Sequence, residues 1–344
     1  MESFWYVVVT MMLAVYIVLD GYDFGLGIIY PLVAKTEPER LAALGSIGPV
    51  WNGNEVWLIA GGGLLFFAFP KAFAAGFSGF YLALTFVLWF LIIRGLALEL
   101  RSHIDHPLWR RFWDAAFSAA SLLLAVTFGA ALGNLIRGVP LNAEGYFFVA
   151  LWTDFMTGPE PGILDWFTLL TGLTSAVILA YHGTNYLTMK SEGTLKRQAE
   201  TLGAPIGWAA AGGTLLTVIA IPMVQPSLPL NFAHHPMEYV VPLTGMLALG
   251  CSLFFRHRQQ DTAAFLASSL FILMMLGTVA LGMYPDILVS TIDPSFSLTV
   301  FNATPGTYGL EIGLWWFLVG FGLVIVYQIY AHRAFWGKVR PEAH

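Results

Sequence analysis

Long apolar stretches separated by short polar ones run from Phe4 to about His332. Nine of them have helical length: roughly 4–30, 54–69, 73–98, 113–136, 163–187, 204–223, 238–255, 263–284 and 310–332. None shows the strict two-residue alternation of a barrel strand, so the pattern predicts helices. About 20 apolar residues span the hydrocarbon as a helix, and a helix satisfies its own backbone where no water can. The second stretch is short. It holds Gly61-Gly62-Gly63 and stops at Pro70, which disfavours helix in the residue before it. Such glycines permit close helix approach or leave a weak point. The predicted fold is all-α and polytopic, with about nine transmembrane helices in one integral membrane domain, 1–344.

Composition agrees. Hydrophobic residues are 57% of the 344 and charged residues 11%, with a mean hydropathy of +0.71. A soluble domain carries about 25% charged residues, so this chain lacks the charge to coat a water-facing surface. A net charge of -5 gives no basic footprint for nucleic acid. Cys251, the single cysteine, can form neither an internal disulfide nor a cysteine-rich metal site. The first apolar run has no basic segment before it and no small-residue cleavage site, so it is expected to be a retained span.

Charge sets the expected orientation. Lys35, Arg40, Arg101, Arg110, Arg111, Lys190, Lys196, Arg197, Arg256, Arg258, Arg333, Lys338 and Arg340 all fall on one side of the nine-span arrangement. Lys71 and Arg137 fall on the other, and Arg94 lies within a span. The positive-inside rule then places the N-terminus outside and the C-terminus in the cytoplasm. The two long outer connections, 137–162 and 285–309, are rich in Pro, Gly and Asn and read as ordered loops or short interfacial helices.

A faint repeat accompanies this. Asp20-Gly21-Tyr22-Asp23 closes the first span and His182-Gly183-Thr184-Asn185 the fifth. Each precedes a charged connection that carries Leu-Gly, at Leu44-Gly45 and Leu202-Gly203. An offset of four spans gives a parallel repeat: one four-helix bundle over 1–137, a second over 163–284, and a last helix at 310–332. Gathering of polar residues at helix ends is the alternative.

Several polar residues need explaining. Asp20 and Asp23 are three apart and share a helix face. Buried like-charged carboxyls are suited to holding and passing a proton; hydrated residues at headgroup level are the bland alternative. Glu55 enters the second span from the same side, where a helix N-terminus also favours it. Trp51 and Trp57 flank it and fit an interfacial belt. Arg94 and Glu99 are five apart and off one another's face, so Arg94 takes a partner among Asp20, Asp23 and Glu55 or snorkels. Arg94, Glu99 and Arg101 read as structural or partner-facing charge. His182 is the one histidine inside a span. A hydrogen-bonded structural role fits it better than axial haem ligation, which would need a second ligand. His103, His106, His234, His235, His257, His332 and His344 fall in connections or the tail. No phosphate loop, nucleophile elbow or zinc-helix motif appears, and no catalytic or metal-binding residue is assigned.

Asp20-Gly-Tyr-Asp23-Phe-Gly25, Trp51-Asn-Gly-Asn-Glu-Val-Trp57, the Gly61–Gly63 run, Phe77-Ser-Gly-Phe-Tyr81 and Arg94-Gly95 resemble subunit II of cytochrome bd-type quinol oxidases. Weaker matches continue at Phe128-Gly129, Gly133-Asn134-Leu135 and Gly138-Val139-Pro140. The resemblance implies a haem-free subunit of a quinol:oxygen oxidoreductase in a bacterial or archaeal-type cell membrane. Its partner, subunit I, would carry haems of b and d types and the quinol-oxidising loop. It also implies a role in assembly and in lining proton or oxygen access, with a structural quinone and small single-span accessory subunits in some members. One departure matters. The family usually has Asp after the first motif Trp, as part of a proton route toward subunit I. Here that residue is Asn52, which cannot ionise. Either Glu55, on the same face, substitutes together with Asp20 or Asp23, or the route is weakened in this member; the proton-pathway candidates are Asp20, Asp23, Glu55 and Asn52. The first and fifth spans, with glycines at 25, 27, 61–63, 76 and 79, are expected to face subunit I. A proton-coupled secondary transporter and a purely structural assembly subunit are the competing classes.

Overall fold

The computed structural model describes residues 1–335 and 337–339; Arg340 and His344 of the sequence reading lie outside them. Twelve α-helices follow in order: α1 (Glu2–Val33), α2 (Glu37–Ile47), α3 (Trp51–Ala68), α4 (Pro70–Gly79), α5 (Tyr81–Leu100), α6 (Pro107–Arg137), α7 (Trp166–Lys190), α8 (Gly193–Val224), α9 (Ser227–His234), α10 (Val240–His257), α11 (Asp261–Met283) and α12 (Thr307–Ala334). Seven helical stretches are long and apolar enough to cross a membrane: α1, α5, α6, α8, α11, α12 and α10 with the 3-10 turn before it. The α3 and α7 helices are not among them. The first carries Asn52, Asn54, Glu55 and four glycines; the second carries His182, Asn185 and a series of threonines.

Two elements depart from the apolar pattern. The connection at 31–53 contains α2, where the Glu39 carboxylate accepts from the Thr36 and Lys35 backbone N–H groups and so caps the helix start. The stretch at 73–98 is two helices, α4 and α5, divided at Phe80. Pro70 opens α4, and Gly79 ends it against the Phe147 ring, which a Cβ there would meet at 2.2 Å. A hydropathy profile cannot register such a break, because both pieces are apolar.

The centre of the molecule is the α1–α7 contact. Gly25 and Gly183 sit face to face: a Cβ on Gly25 would lie 1.9 Å from the Leu179 carbonyl oxygen, and one on Gly183 2.3 Å from the Gly25 carbonyl carbon. Small residues let membrane helices approach this closely, where dispersion replaces the absent hydrophobic term. Gly27 does the same against Ser121 of α6. These contacts correct one expectation. Gly25 and Gly27 are taken up by internal packing and are not free for a partner. Exposure lies instead on the rim: only 6% of the apolar window of α12 is buried, against 50% of that of α1.

At the end away from the basic residues, the two long connections are ordered and interlocked. Val139 N–H donates to Val289 O, Thr291 N–H donates to Val139 O, and the Ser290 hydroxyl donates to Leu141 O. A small antiparallel pair, β1 (Asp286–Leu288) with β2 (Leu298–Thr299), stiffens the second of them. Asp165 caps α7, accepting from Phe167 and Thr168 N–H. The buried Arg137 closes this end by pairing with Asp165 and donating to Asn134 Oδ1 (2.7 Å) and Gly162 O (2.9 Å). Arg137 is therefore an internal tie, not a water-facing charge.

Candidate proton-handling site

Asp20 and Asp23 lie on α1 about one turn apart, deep in the bundle, and both side chains are fully buried. They face α3 and α5, on the side of α1 away from its glycine crossing with α7. Arg94 of α5, equally buried, reaches Asp20 with Nη1 at 2.6 Å and Glu55 of α3 with Nη2. Its guanidinium also stands 4.6 Å from the centre of the Phe24 ring, a cation–π contact that is worth more where water is excluded. Asp23 takes a different partner. The Asn54 amide of α3 donates to Asp23 Oδ2 at 2.9 Å and to the Tyr22 hydroxyl at 2.8 Å. Two carboxylates from two helices thus hold one guanidinium from a third, with Asp23 one turn along α1 tied to Asn54.

Other polar atoms here have no protein partner. Asp20 Oδ2, Asp23 Oδ1, Asn54 Oδ1, Tyr16 Oη, Trp57 Nε1 and Arg94 Nε are all buried and unpaired. Buried polar atoms are rarely left so.

The remaining sequence candidates separate. Asn52 is exposed on the first turn of α3 and joins none of these bonds, while Asn54, which the sequence reading passed over, occupies the interior. Its signal was available: Asn54 is an amide one residue from Glu55 at the start of an apolar run. Trp51 and Trp57 are buried at 8% and 4%, which corrects their assignment to an interfacial belt. Trp51 packs at Gly95 of α5, and Trp57 meets Phe321 of α12 edge-on. The start of α3 turns into the bundle, so its aromatics fill protein. Glu99 is exposed and lies away from Arg94.

Arg101 belongs to a second cluster. Its guanidinium forks onto Glu37 (2.9 and 2.9 Å) and onto Asp114 of α6 (2.5 and 3.3 Å). Tyr30 donates to Asp114 at 2.7 Å, and Arg40 adds a bond at 2.9 Å. This network ties α1, α2, α5 and α6 together at their basic ends, and hydrogen bonding to Arg101 holds the Glu37 carboxyl below its ordinary value. Glu37, Arg40 and Asp114 were not singled out from sequence, since each is an ordinary charge near a helix end until its partners are known.

His182 has both ring nitrogens occupied, Nδ1 with Ser268 Oγ (2.8 Å) and Nε2 with Val18 O (3.0 Å), and its ring stacks on Phe265. Neither nitrogen is left for an axial ligand, so these residues do not fit a haem. Among the described residues, no three His, Cys, Asp or Glu side chains gather in metal-holding geometry.

The chain is 31% identical to "Probable cytochrome oxidase subunit 2" of Haemophilus influenzae, over 97% of this chain and 94% of that protein. It is 29% identical to "Cytochrome bd-I ubiquinol oxidase subunit 2" of Escherichia coli K12, covering 98% and 95%. The Bacillus subtilis "Cytochrome bd ubiquinol oxidase subunit 2" is 27% identical, covering 98% and 97%. The fold matches a chain of the bd oxidase structure from Geobacillus thermodenitrificans with a TM-score of 0.77 at 18% identity, covering 97% and 98%. The family model described as "Cytochrome bd terminal oxidase subunit II" matches residues 1–335, and the chain belongs to that family.

Proposed function

We propose that this chain is the haem-free second subunit of a quinol:oxygen oxidoreductase and that it conducts protons toward a haem-bearing partner. The observation that carries the proton role is the excess of acid over base in a largely buried site: Asp20, Asp23 and Glu55 near Arg94. A buried charge without compensation is costly, so protons complete the balance, and a site whose charge depends on protons can take them up and release them. The unpaired polar atoms at Tyr16, Asp20, Asp23 and Asn54 suit water molecules that relay them. Glu55, with a quarter of its side chain exposed, is the entry group. Asn52 lies one turn farther out, where a carboxylate would extend the route toward solvent.

The same reading places α3 and α7 across the membrane, which gives nine spans, with the N-terminus outside and the basic ends in the cytoplasm. Two four-helix bundles, 1–137 and 163–284, belong with it. Arg94 on the third span reaches Asp20 on the first; Arg256 on the seventh reaches Asn185 on the fifth at 2.7 Å. That correspondence at an offset of four spans supports a parallel repeat.

When bound in the partner, haems supply the oxygen chemistry. This chain supplies packing and a path for protons. The test is purification through an affinity tag on this chain, with a visible absorption spectrum and quinol-driven oxygen uptake as readouts. Haem bands and uptake that co-purify with a second subunit are expected. A haem-free, monodisperse chain that transports a solute would favour a transporter.

A further inference from the structure

A groove of about 490 Å³ opens between α1, α2 and α6 at the basic end of the bundle, remote from the carboxylate cluster. Its wall on α6 is one helical stripe: Arg111, Asp114, Ala115, Ser118, Ala119 and Leu122, spaced at three, one, three, one and three residues, with the Asp114 carboxylate already engaged by Tyr30, Arg40 and Arg101. Ile28 and Pro31 of α1 form the facing wall, and Arg40 of α2 closes the top. The groove is therefore graded. Guanidinium groups sit at one end, and largely apolar surface from Ala115 to Leu122 continues for about 10 Å along α6 toward the membrane centre.

The two arginines are not equally engaged. Arg40 pairs with Asp114. Arg110 is tied to Glu37 and Asp105. Among the described residues, Arg111 makes no ion pair. Ser118 Oγ, farther down the groove, is buried and has no partner. Four guanidinium groups (Arg40, Arg101, Arg110, Arg111) face three carboxylates (Glu37, Asp105, Asp114) in this corner, which leaves an excess positive charge at the mouth.

The geometry points to a structural site for an anionic phospholipid, its phosphodiester between Arg111 and Arg40 and an acyl chain along the Ala115–Leu122 stripe. Charge complementarity selects the anionic headgroup, and the apolar floor selects a lipid over a free phosphate. The occupant comes from the leaflet on the basic side. The site would tie α2 to α6 through the lipid, reinforcing the Glu37–Arg101–Asp114 network beside it.

The inference rests on the membrane placement of these helices and not on the oxidase chemistry, so the haem spectrum of the same preparation separates the two. The intact two-subunit complex, tagged on this chain, is exchanged into vesicles of phosphatidylcholine containing a minor fraction of phosphatidylglycerol. Retained lipid is counted by native mass spectrometry. Wild-type complex should hold one more phosphatidylglycerol than Arg111→Gln, whose affinity should fall about fivefold. Ala119→Phe, which fills the groove, should lose that lipid with all charges intact; Leu122→Trp replaces it if assembly fails. Arg258→Gln removes a positive charge on a different connection and should retain the lipid. Equal retention by wild type, Arg111→Gln and the groove-filling variant would overturn the site. So would equal loss in Arg258→Gln, which signals bulk electrostatics, or displacement of the lipid by inorganic phosphate, which signals a simple anion site.

Discussion

At the scale of single residues, Asp20 and Glu55 divide one guanidinium between them, and Asp23 is held apart by an amide. On the proposed reading Arg94 is the structural cation and the carboxyls exchange protons. Arg94→Met should leave Asp20 buried without its cation, a loss of about 3–5 kcal/mol. Its expected phenotype is failed assembly, read as loss of co-purifying partner. Glu55→Gln keeps shape and hydrogen bonding but removes ionisation. It should slow oxygen uptake by about tenfold, a barrier change of about 1.4 kcal/mol, with the haem spectrum unchanged. Full turnover in Glu55→Gln, Asp20→Asn and Asp23→Asn complexes would place the proton route wholly in the partner. Asn52→Asp tests the same path from outside: faster turnover means that the route runs past the first turn of α3 and is slowed by the amide.

At the scale of elements, helix crossings and end ties carry the structure. Gly183→Ala drives a methyl into the Gly25 backbone. Overpacking of this kind costs about 1–3 kcal/mol, visible as a lower unfolding temperature of the purified complex. The α2 tie has a pH signature. Because Arg101 holds the Glu37 carboxyl below its ordinary value of 4.5, the folded state binds that proton less readily than the unfolded one. The stabilisation is complete above the ordinary value and is lost as pH falls through the lower folded one. The difference in α2 amide protection between wild type and Glu37→Gln should therefore stay constant above about pH 5 and close in stronger acid. A difference that persists undiminished in strong acid would remove the ion pair as the tie.

At the scale of the whole molecule, the polar ends of α1 and α7 meet in the middle. Tyr22 and Tyr186 stack with ring centres 4.0 Å apart, so α1 and α7 are joined there as well as at their glycine crossing. Among the seven candidate spans α12 is the least buried, at 6% of its window, and its Trp315 and Trp316 are 71% and 76% exposed. Orientation is tested directly by replacing Cys251 with Ser and placing a cysteine beside Lys338. A membrane-impermeant thiol reagent should label it only from the cytoplasmic side; labelling from outside would reverse the topology.

Hydropathy alone determined that this chain is a bundle of membrane helices, because 20-residue apolar runs have few other solutions. The carboxylates, Arg94 and the family motifs were also legible, since an ionisable residue in such a run stands out from its neighbours. Three things were decided only by tertiary structure. The Trp51–Trp57 pair looked interfacial because burial by protein and burial at a headgroup draw on the same side chain. Asn54 rather than Asn52 entered the site because the rotation of α3 about its axis is set by packing on α1. The Glu37–Arg101–Asp114 network was invisible because its members are 13 to 77 residues apart and each is unremarkable alone. Sequence spacing resolves contacts within one helix; the meeting of three or four helices is settled by which glycines let them close.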